Sequence, residues 1–197
     1  GTLTVASTKT VTSNKSDVTI TAWDLDLDGS LAAGTMSITV HGAEATQTIG
    51  LGTTTTDMDI SGDEVQRMAA LVSLTLGSST SGNILVNGMS ATHTNSLTQV
   101  NLIAKVNTGT VTFATGASVF NALSVTADKG VVVNGVDVTT DTGVLTLNGD
   151  SDSDGDSLDT VGITDGRTLT AETVLTLMSQ IGGIIPAGKL TLLAKEG

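Results

Sequence analysis

The sequence predicts an all-β fold in which short strands stack as a solenoid, and three observations predict it. Apolar and hydroxyl residues alternate with period two, corners rich in Gly and Asn return at short intervals, and aromatic residues are nearly absent. Alternation sets Val, Leu or Ile on one face of a strand and Thr or Ser on the other. Asn and Gly accept the left-handed backbone that sharp corners need. Aromatics make up 2% of the chain, with no Tyr, one Trp (Trp23) and two Phe (Phe113 and Phe120). A sandwich usually fills its centre with rings, because each buries a large area. A core of Val, Leu, Ile and Ala suits a narrow stack better. An antiparallel β-sandwich is the alternative that the same strands and corners allow.

The strands follow in chain order. Val18–Ala22, Met36–Val40, Leu74–Leu76, Val111–Phe113, Leu123–Ala127, Val144–Leu147 and Lys189–Leu192 all alternate. Corners are expected at Asp28-Gly29, Ala33-Gly34, Ser81-Gly82-Asn83, Asn87-Gly88, Lys129-Gly130, Asn134-Gly135, Asn148-Gly149 and Gly182-Gly183. One phrase recurs, an apolar/Thr strand followed by Gly, as in Leu74 to Gly77 and Leu145 to Gly149. Repetition of a phrase is what a stack of coils produces. Residues 61–70 break the pattern with good helix formers. Ser61 and Glu64 form a capping-box pair there, with Val65, Met68 and Ala69 facing the core. The stretch Ala171 to Ile181 reads as strand, with Val174-Leu175-Thr176-Leu177 repeating the earlier phrase, although a helix can also be drawn through it. The whole chain, 1–197, reads as a single solenoid segment with an acidic loop at 148–160. At roughly 20 to 25 residues per coil and about 4.8 Å between strands, it spans roughly 40 Å.

Charge narrows the partners. The formal net charge is −12, with 8 basic against 20 acidic residues. Such a surface does not neutralise a run of phosphates, so no nucleic-acid partner is expected. No run approaches the roughly 18 apolar residues of a membrane helix, so no membrane insertion is expected. Cysteine is absent, which excludes disulfides and thiolate metal sites and agrees weakly with export. The chain starts at Gly1, with no signal peptide visible, and is read as a processed product or an excerpt from a longer protein.

The succession Gln47–Gly52, Met58–Met68, Leu74–Gly77 and Gly82–Gly88 resembles the repeats of giant filamentous-haemagglutinin-like surface proteins. The stretch Val18 to Ala33 and the ending Lys189–Ala194 have the same character. The resemblance implies a right-handed parallel β-helix (a β-solenoid) within a long secreted adhesin or filament. The amino-terminal secretion motifs of that family are absent, which puts the export route in doubt.

The sharpest polar cluster is Asp150-Ser151-Asp152-Ser153-Asp154-Gly155-Asp156. It matches the first half of a calcium loop, with oxygens at alternate positions and Gly at the sixth. The twelfth position is Val161, where such a loop wants a bidentate Glu. Asp159 can substitute for it, making Asp150, Asp152, Asp154, Asp156 and Asp159 the candidate Ca²⁺ ligands. A solvated acidic loop is the competing reading. The run Asp24-Leu25-Asp26-Leu27-Asp28-Gly29 is read instead as a plain strand with Leu inward, ending in a turn. His41 and His93 have no metal-spaced partner and read as surface or turn residues. The Thr runs, Thr53 to Thr56 among them, read as outward strand residues rather than as an ice-ordering face. No catalytic residue or bound cofactor other than Ca²⁺ is expected, since clustered Arg or Lys for acidic sugars and aromatic platforms are both missing.

These readings converge on a structural or adhesive segment of an extracellular or cell-surface filament protein. Its partners are copies of itself or adjacent repeats, and cell-surface glycans or matrix. A calcium-dependent binding module and a secreted carbohydrate-active β-helix protein are the alternatives.

Overall fold

The computed structural model describes residues 1–152, 154–155 and 158–196. Strands β1–β23 and helices α1 and α2 are numbered in chain order among these residues. A seven-stranded sheet holds β3 (Val18–Ala22), β6 (Ile38–Gly42), β10 (Leu74–Ser78), β12 (Val100–Ala104), β15 (Leu123–Ala127), β18 (Leu145–Asn148) and β21 (Leu175–Met178), side by side in that order. A second holds β8 (Met58–Ile60), β7 (Ile49–Gly52), β11 (Ile84–Asn87), β13 (Thr110–Ala114), β16 (Gly130–Asn134), β19 (Thr160–Ile163) and β22 (Gly183–Pro186). A four-stranded sheet runs β14 (Ser118–Phe120), β17 (Val138–Thr140), β20 (Arg167–Ala171), β23 (Leu190–Ala194). Near the N-terminus β2 (Thr10–Thr12), β5 (Ser30–Gly34) and β9 (Met68–Ala70) form a three-stranded sheet, and β1 (Thr2–Val5) pairs with β4 (Asp24–Leu27).

The fold is therefore all-β with parallel sheets and two short helices. Each strand pair among the described residues is parallel, so the antiparallel sandwich is not what forms. From β12 onward the chain visits the three sheets in a fixed cycle: β12, β13, β14, then β15, β16, β17, and so on to β23.

Register is constant along the first sheet. Val18, Ile38, Leu74, Val100, Leu123, Leu145 and Leu175 lie in one file, at intervals of 20, 36, 26, 23, 22 and 30 residues. The interval of 36 contains β8 and the helix α1 (Gly62–Gln66), and the interval of 30 contains the acidic run. These insertions use residues without adding strands to this sheet. Its seven strands span roughly 30 Å rather than 40 at about 4.8 Å each.

The inward file is the core. Leu76, Val86, Leu102, Val125, Val133 and Leu147 are fully buried, as are both Phe residues. Each such aliphatic side chain contributes roughly 1.5–3 kcal/mol by leaving water. Gly77, which ends the apolar/Thr phrase of β10, has φ +90°, and a Cβ there would stand 2.1 Å from the Ile103 carbonyl oxygen. That position needs glycine both for conformation and for space.

The expected helix over 61–70 is half right. Ser61 and Glu64 do form the capping box, the Ser61 amide donating to Glu64 Oε2 at 2.8 Å and the Glu64 amide to Ser61 Oγ at 3.3 Å. The helix stops at Gln66, however, and Met68–Ala70 is extended as β9. Pairing of Met68 and Ala69 with Leu31 and Ala32 wins over the helix propensity of Ala. Met68 is buried, as expected, but from a strand. The tail forms β21, β22 and β23, as the strand reading had it. A four-residue helix, α2 (Ala91–Thr94), was not foreseen. Among the described residues no helix is long and apolar enough to cross a membrane.

Candidate functional site

Three surfaces carry the functional argument: the acidic segment, the outer face of the first sheet, and the two ends of the strand files.

Among the described residues of the acidic segment, Asp150 and Asp159 are buried while Asp152 and Asp154 are exposed. Asp150 is buried, and its Oδ2 accepts the Gln180 amide at 2.9 Å and the Ile181 amide at 2.7 Å. It thereby ties the β18 layer to the turn before β22. Asp159 is also buried, and its backbone carbonyl accepts the Ser179 hydroxyl. Asp152 and Asp154 face solvent, with the Asp154 amide donating to Asp152 Oδ1 at 3.1 Å. That amide, and then the Asp128 side chain, hold the Asp152 carboxyl below the usual carboxylate range, with burial opposing weakly. Asp156 lies outside the described residues. Among the described residues no group of three or more His, Cys, Asp or Glu is arranged to hold a metal ion.

The Asp24–Gly29 run is the strand and turn expected of it. Leu25 and Leu27 are buried within β4, and Asp26 and Asp28 are exposed. Thr53 to Thr56 form no regular hydroxyl face: Thr54 Oγ1 and Thr56 Oγ1 both donate to Asp59 Oδ1, at 2.7 and 3.0 Å. The histidines are partly buried and engaged. His41 Nε2 lies 3.0 Å from Thr21 Oγ1 on the outer face of the first sheet. His93 sits on α2, with Nδ1 3.2 Å from the Ser90 amide, and its ring lies so close to α1 that a Cβ on Gly62 would stand 2.1 Å from it.

The outer face of the first sheet carries a polar, uncharged file. Thr19, Thr39, Thr75, Asn101, Ser124, Thr146 and Thr176 are partners in register across all seven strands. Asn101 Nδ2 donates to Thr75 Oγ1 at 3.2 Å. No strand of this sheet contains Asp, Glu, Lys or Arg, although the chain carries 20 acidic residues. Sequence alternation pointed to outward hydroxyls. It could not show that they align, because the unequal intervals hide the register.

The ends differ from the middle. At the C-terminal end Leu175, Leu177, Ile184 and Leu190 are only partly buried, while Ile185, Leu192 and Leu193 are exposed. At the N-terminal end Leu3 and Val11 are exposed and Val18 is partly buried.

Compared with protein-family models, curated proteins and solved structures, the chain matches none of them.

Proposed function

We propose that the chain is a segment of a right-handed parallel β-helix that serves as a structural and adhesive rod. Its setting is an extracellular or cell-surface filament protein of the filamentous-haemagglutinin-like kind. The observation that carries this reading is the register file from Val18 to Leu175, unbroken across seven parallel strands while the chain cycles among the sheets. A chain returning to the same sheet one strand further on, always parallel, advances like a spiral. Right-handedness follows from the strong bias of parallel crossover connections. The rod gains its stiffness from ladders along the axis and an aliphatic interior. The neutral, hydroxylated outer file is suited to hydrogen-bonding surface glycans or matrix, and acidic residues elsewhere keep neighbouring rods apart. The reading assigns no catalytic role.

The test is infrared spectroscopy on the purified chain. Parallel-sheet amide bands are expected. A band pattern of antiparallel sheets overturns the reading.

A calcium-dependent role for the acidic segment is a second proposal, favoured by the solvent-facing side chains of Asp152 and Asp154, held close by the Asp154 amide on Asp152 Oδ1 at 3.1 Å. Neighbouring carboxylates are stabilised by a cation between them. Calcium should then raise the melting temperature of the chain, and Asp152→Asn should abolish the rise. A melt indifferent to calcium removes the proposal.

A further inference from the structure

We propose that the Asn134-Gly135 pair is a site of spontaneous backbone modification, deamidation through a cyclic imide, and that the Thr164 hydroxyl sets its rate. The inference goes beyond the rod reading and does not depend on what the rod binds.

The chemistry asks for two things. An Asn side chain must swing onto the amide nitrogen of the next residue, and the reaction is fastest where that residue is Gly, because a Cβ crowds the approach. The Gly nitrogen then bonds to the Asn Cγ, the Cγ–Nδ2 bond breaks, and ammonia leaves with the amide proton. Water opens the resulting succinimide at either carbonyl. The product is an aspartyl or an isoaspartyl residue, with a carboxylate in place of the amide. No oxidant or cofactor is involved.

Asn precedes Gly at three places, Asn87-Gly88, Asn134-Gly135 and Asn148-Gly149. The three pairs are chemically alike, and the fold treats them differently. Asn148 is tied, its Oδ1 accepting the Asp150 amide at 3.1 Å. Gly149 is buried, its amide donates to the Met178 carbonyl at 3.0 Å, and a Cβ there would stand 2.2 Å from the Thr160 carbonyl oxygen. Asn87 is half-buried and tied too, its Nδ2 donating to the Thr53 carbonyl. Asn134 has neither restraint. It is exposed at the end of β16, and its side chain makes no hydrogen bond among the described residues. Gly135 is exposed as well, with nothing within 4 Å of where a Cβ would stand. The side chain is free to turn, and the nitrogen it must reach is open.

One restraint remains. The Gly135 amide donates to Thr164 Oγ1 at 2.7 Å. Thr164 belongs to the next layer, just beyond β19, and its hydroxyl is held in place by donating to the Val133 carbonyl at 3.3 Å. The nitrogen becomes a nucleophile only as it gives up its proton. A hydrogen bond to a hydroxyl, which is not a base, keeps that proton where it is and the peptide plane fixed. Reaction therefore waits on the opening of one corner, a local event that needs no unfolding of the stack. The product matters to that corner. It adds a carboxylate beside a turn whose Gly135 carbonyl accepts Arg167 Nη1 at 3.0 Å, while Nη1 stands 3.9 Å from Asp137 Oδ1. An isoaspartyl linkage also lengthens the backbone between β16 and β17 by one methylene.

The experiment is peptide mapping by mass spectrometry after incubation of the full, folded chain at mildly alkaline pH, with the chain unfolded in urea as reference. In urea the three Asn-Gly pairs should react at similar rates. In the folded chain the Asn134 peptide should be the first to gain one mass unit and an isoaspartyl fraction, with Asn87 and Asn148 slowed several-fold more than Asn134. Thr164→Val removes the acceptor and should speed the reaction at Asn134 several-fold while leaving Asn87 and Asn148 unchanged. Thr164→Ser, which keeps the hydroxyl, should react like the unmodified chain. Reaction at Asn87 or Asn148 before Asn134, or an Asn134 that stays intact in the folded chain while it reacts in urea, overturns the site. An Asn134 rate indifferent to Thr164→Val overturns the role of the hydroxyl. If Thr164→Val loses its cooperative melt, Thr164→Ala replaces it, and the order of the three sites in the unmodified chain decides the assignment in either case.

Discussion

Leu169 and Leu192 occupy neighbouring places in one file, one fully buried and the other half exposed. Residue type and register are the same, so burial here is conferred by the next strand and not by the side chain. A parallel stack differs in this from a globule with a single centre: each layer is covered by the strand that follows it. The sharpest way to break the comparison is to empty the middle. Phe113→Ala, in the fully buried file of the second sheet, should cost about 3–5 kcal/mol by leaving a cavity that flanking ladders hold open. Leu192→Ala, in dilute solution, should cost about 1 kcal/mol or less, since much of its surface is already wet. Urea melts of the two variants read the difference. Equal losses would mean that the end is as well covered as the middle.

The next largest effect lies where middle and end are joined. Asp150 Oδ2 holds the amides of Gln180 and Ile181, which lead into the terminal strands β22 and β23. Asp150→Ala leaves those donors without that acceptor and should cost about 1–3 kcal/mol. Hydrogen exchange should show the loss concentrated at residues 179–194, with β12 and β15 protected as before. Uniform deprotection would place Asp150 in the core of the whole stack rather than at its terminal joint.

Much of this architecture was legible in the sequence. Alternation such as Val18-Thr19-Ile20-Thr21 fixes which side chains turn inward, and the structure buries Ile20 and leaves Thr19 exposed. The capping box at Ser61 was legible because it depends on two residues three apart. What was illegible depends on partners far along the chain. Met68–Ala70 is extended because Leu31 and Ala32 lie beside it, and nothing local says so. The helix α2 forms from the Ser90-to-Thr94 stretch, Ser-Ala-Thr-His-Thr, which has weak helix propensity, and packs against α1 and β14. The acidic segment was legible in its spacing but not in its packing: nothing local says that Asp150 accepts backbone amides that arrive 30 residues later.

A smaller effect sharpens the comparison within the middle itself. The corners that follow β11, β16 and β19 of the second sheet use a left-handed residue: Gly88 at φ +73°, Gly135 at +74° and Gly166 at +74°. After β13 the same corner falls on Thr115, at φ +68°. A β-branched residue there is strained by roughly 1–2 kcal/mol. Thr115→Asn, which tolerates this conformation, should gain about 0.5–1 kcal/mol in a thermal melt. A loss would show that the Thr115 side chain contributes more to that layer than its backbone costs.

The smallest effect belongs to the edge strand β8 and reads on pH. The Asp57 carboxylate accepts the Thr48 amide at 3.0 Å and the Thr48 hydroxyl at 2.7 Å, closing the connection between β7 and β8. The amide, then the hydroxyl, lower its pKa below the usual carboxylate range, with burial opposing. A lowered folded-state pKa means that the stabilisation is fully present above the unfolded-state value and is lost as pH falls through the folded one. The group is exposed, so water and salt screen the effect and its size is small. Asp57→Asn should therefore lower the melting temperature slightly at pH 7 and leave it nearly unchanged at pH 2, where the unmodified carboxyl is itself being protonated. Because β8 stands at the edge of the second sheet, the loss should fall on β8 and spare β13 in hydrogen exchange. An equal drop at both pH values would mean that Asp57 acts through shape rather than charge.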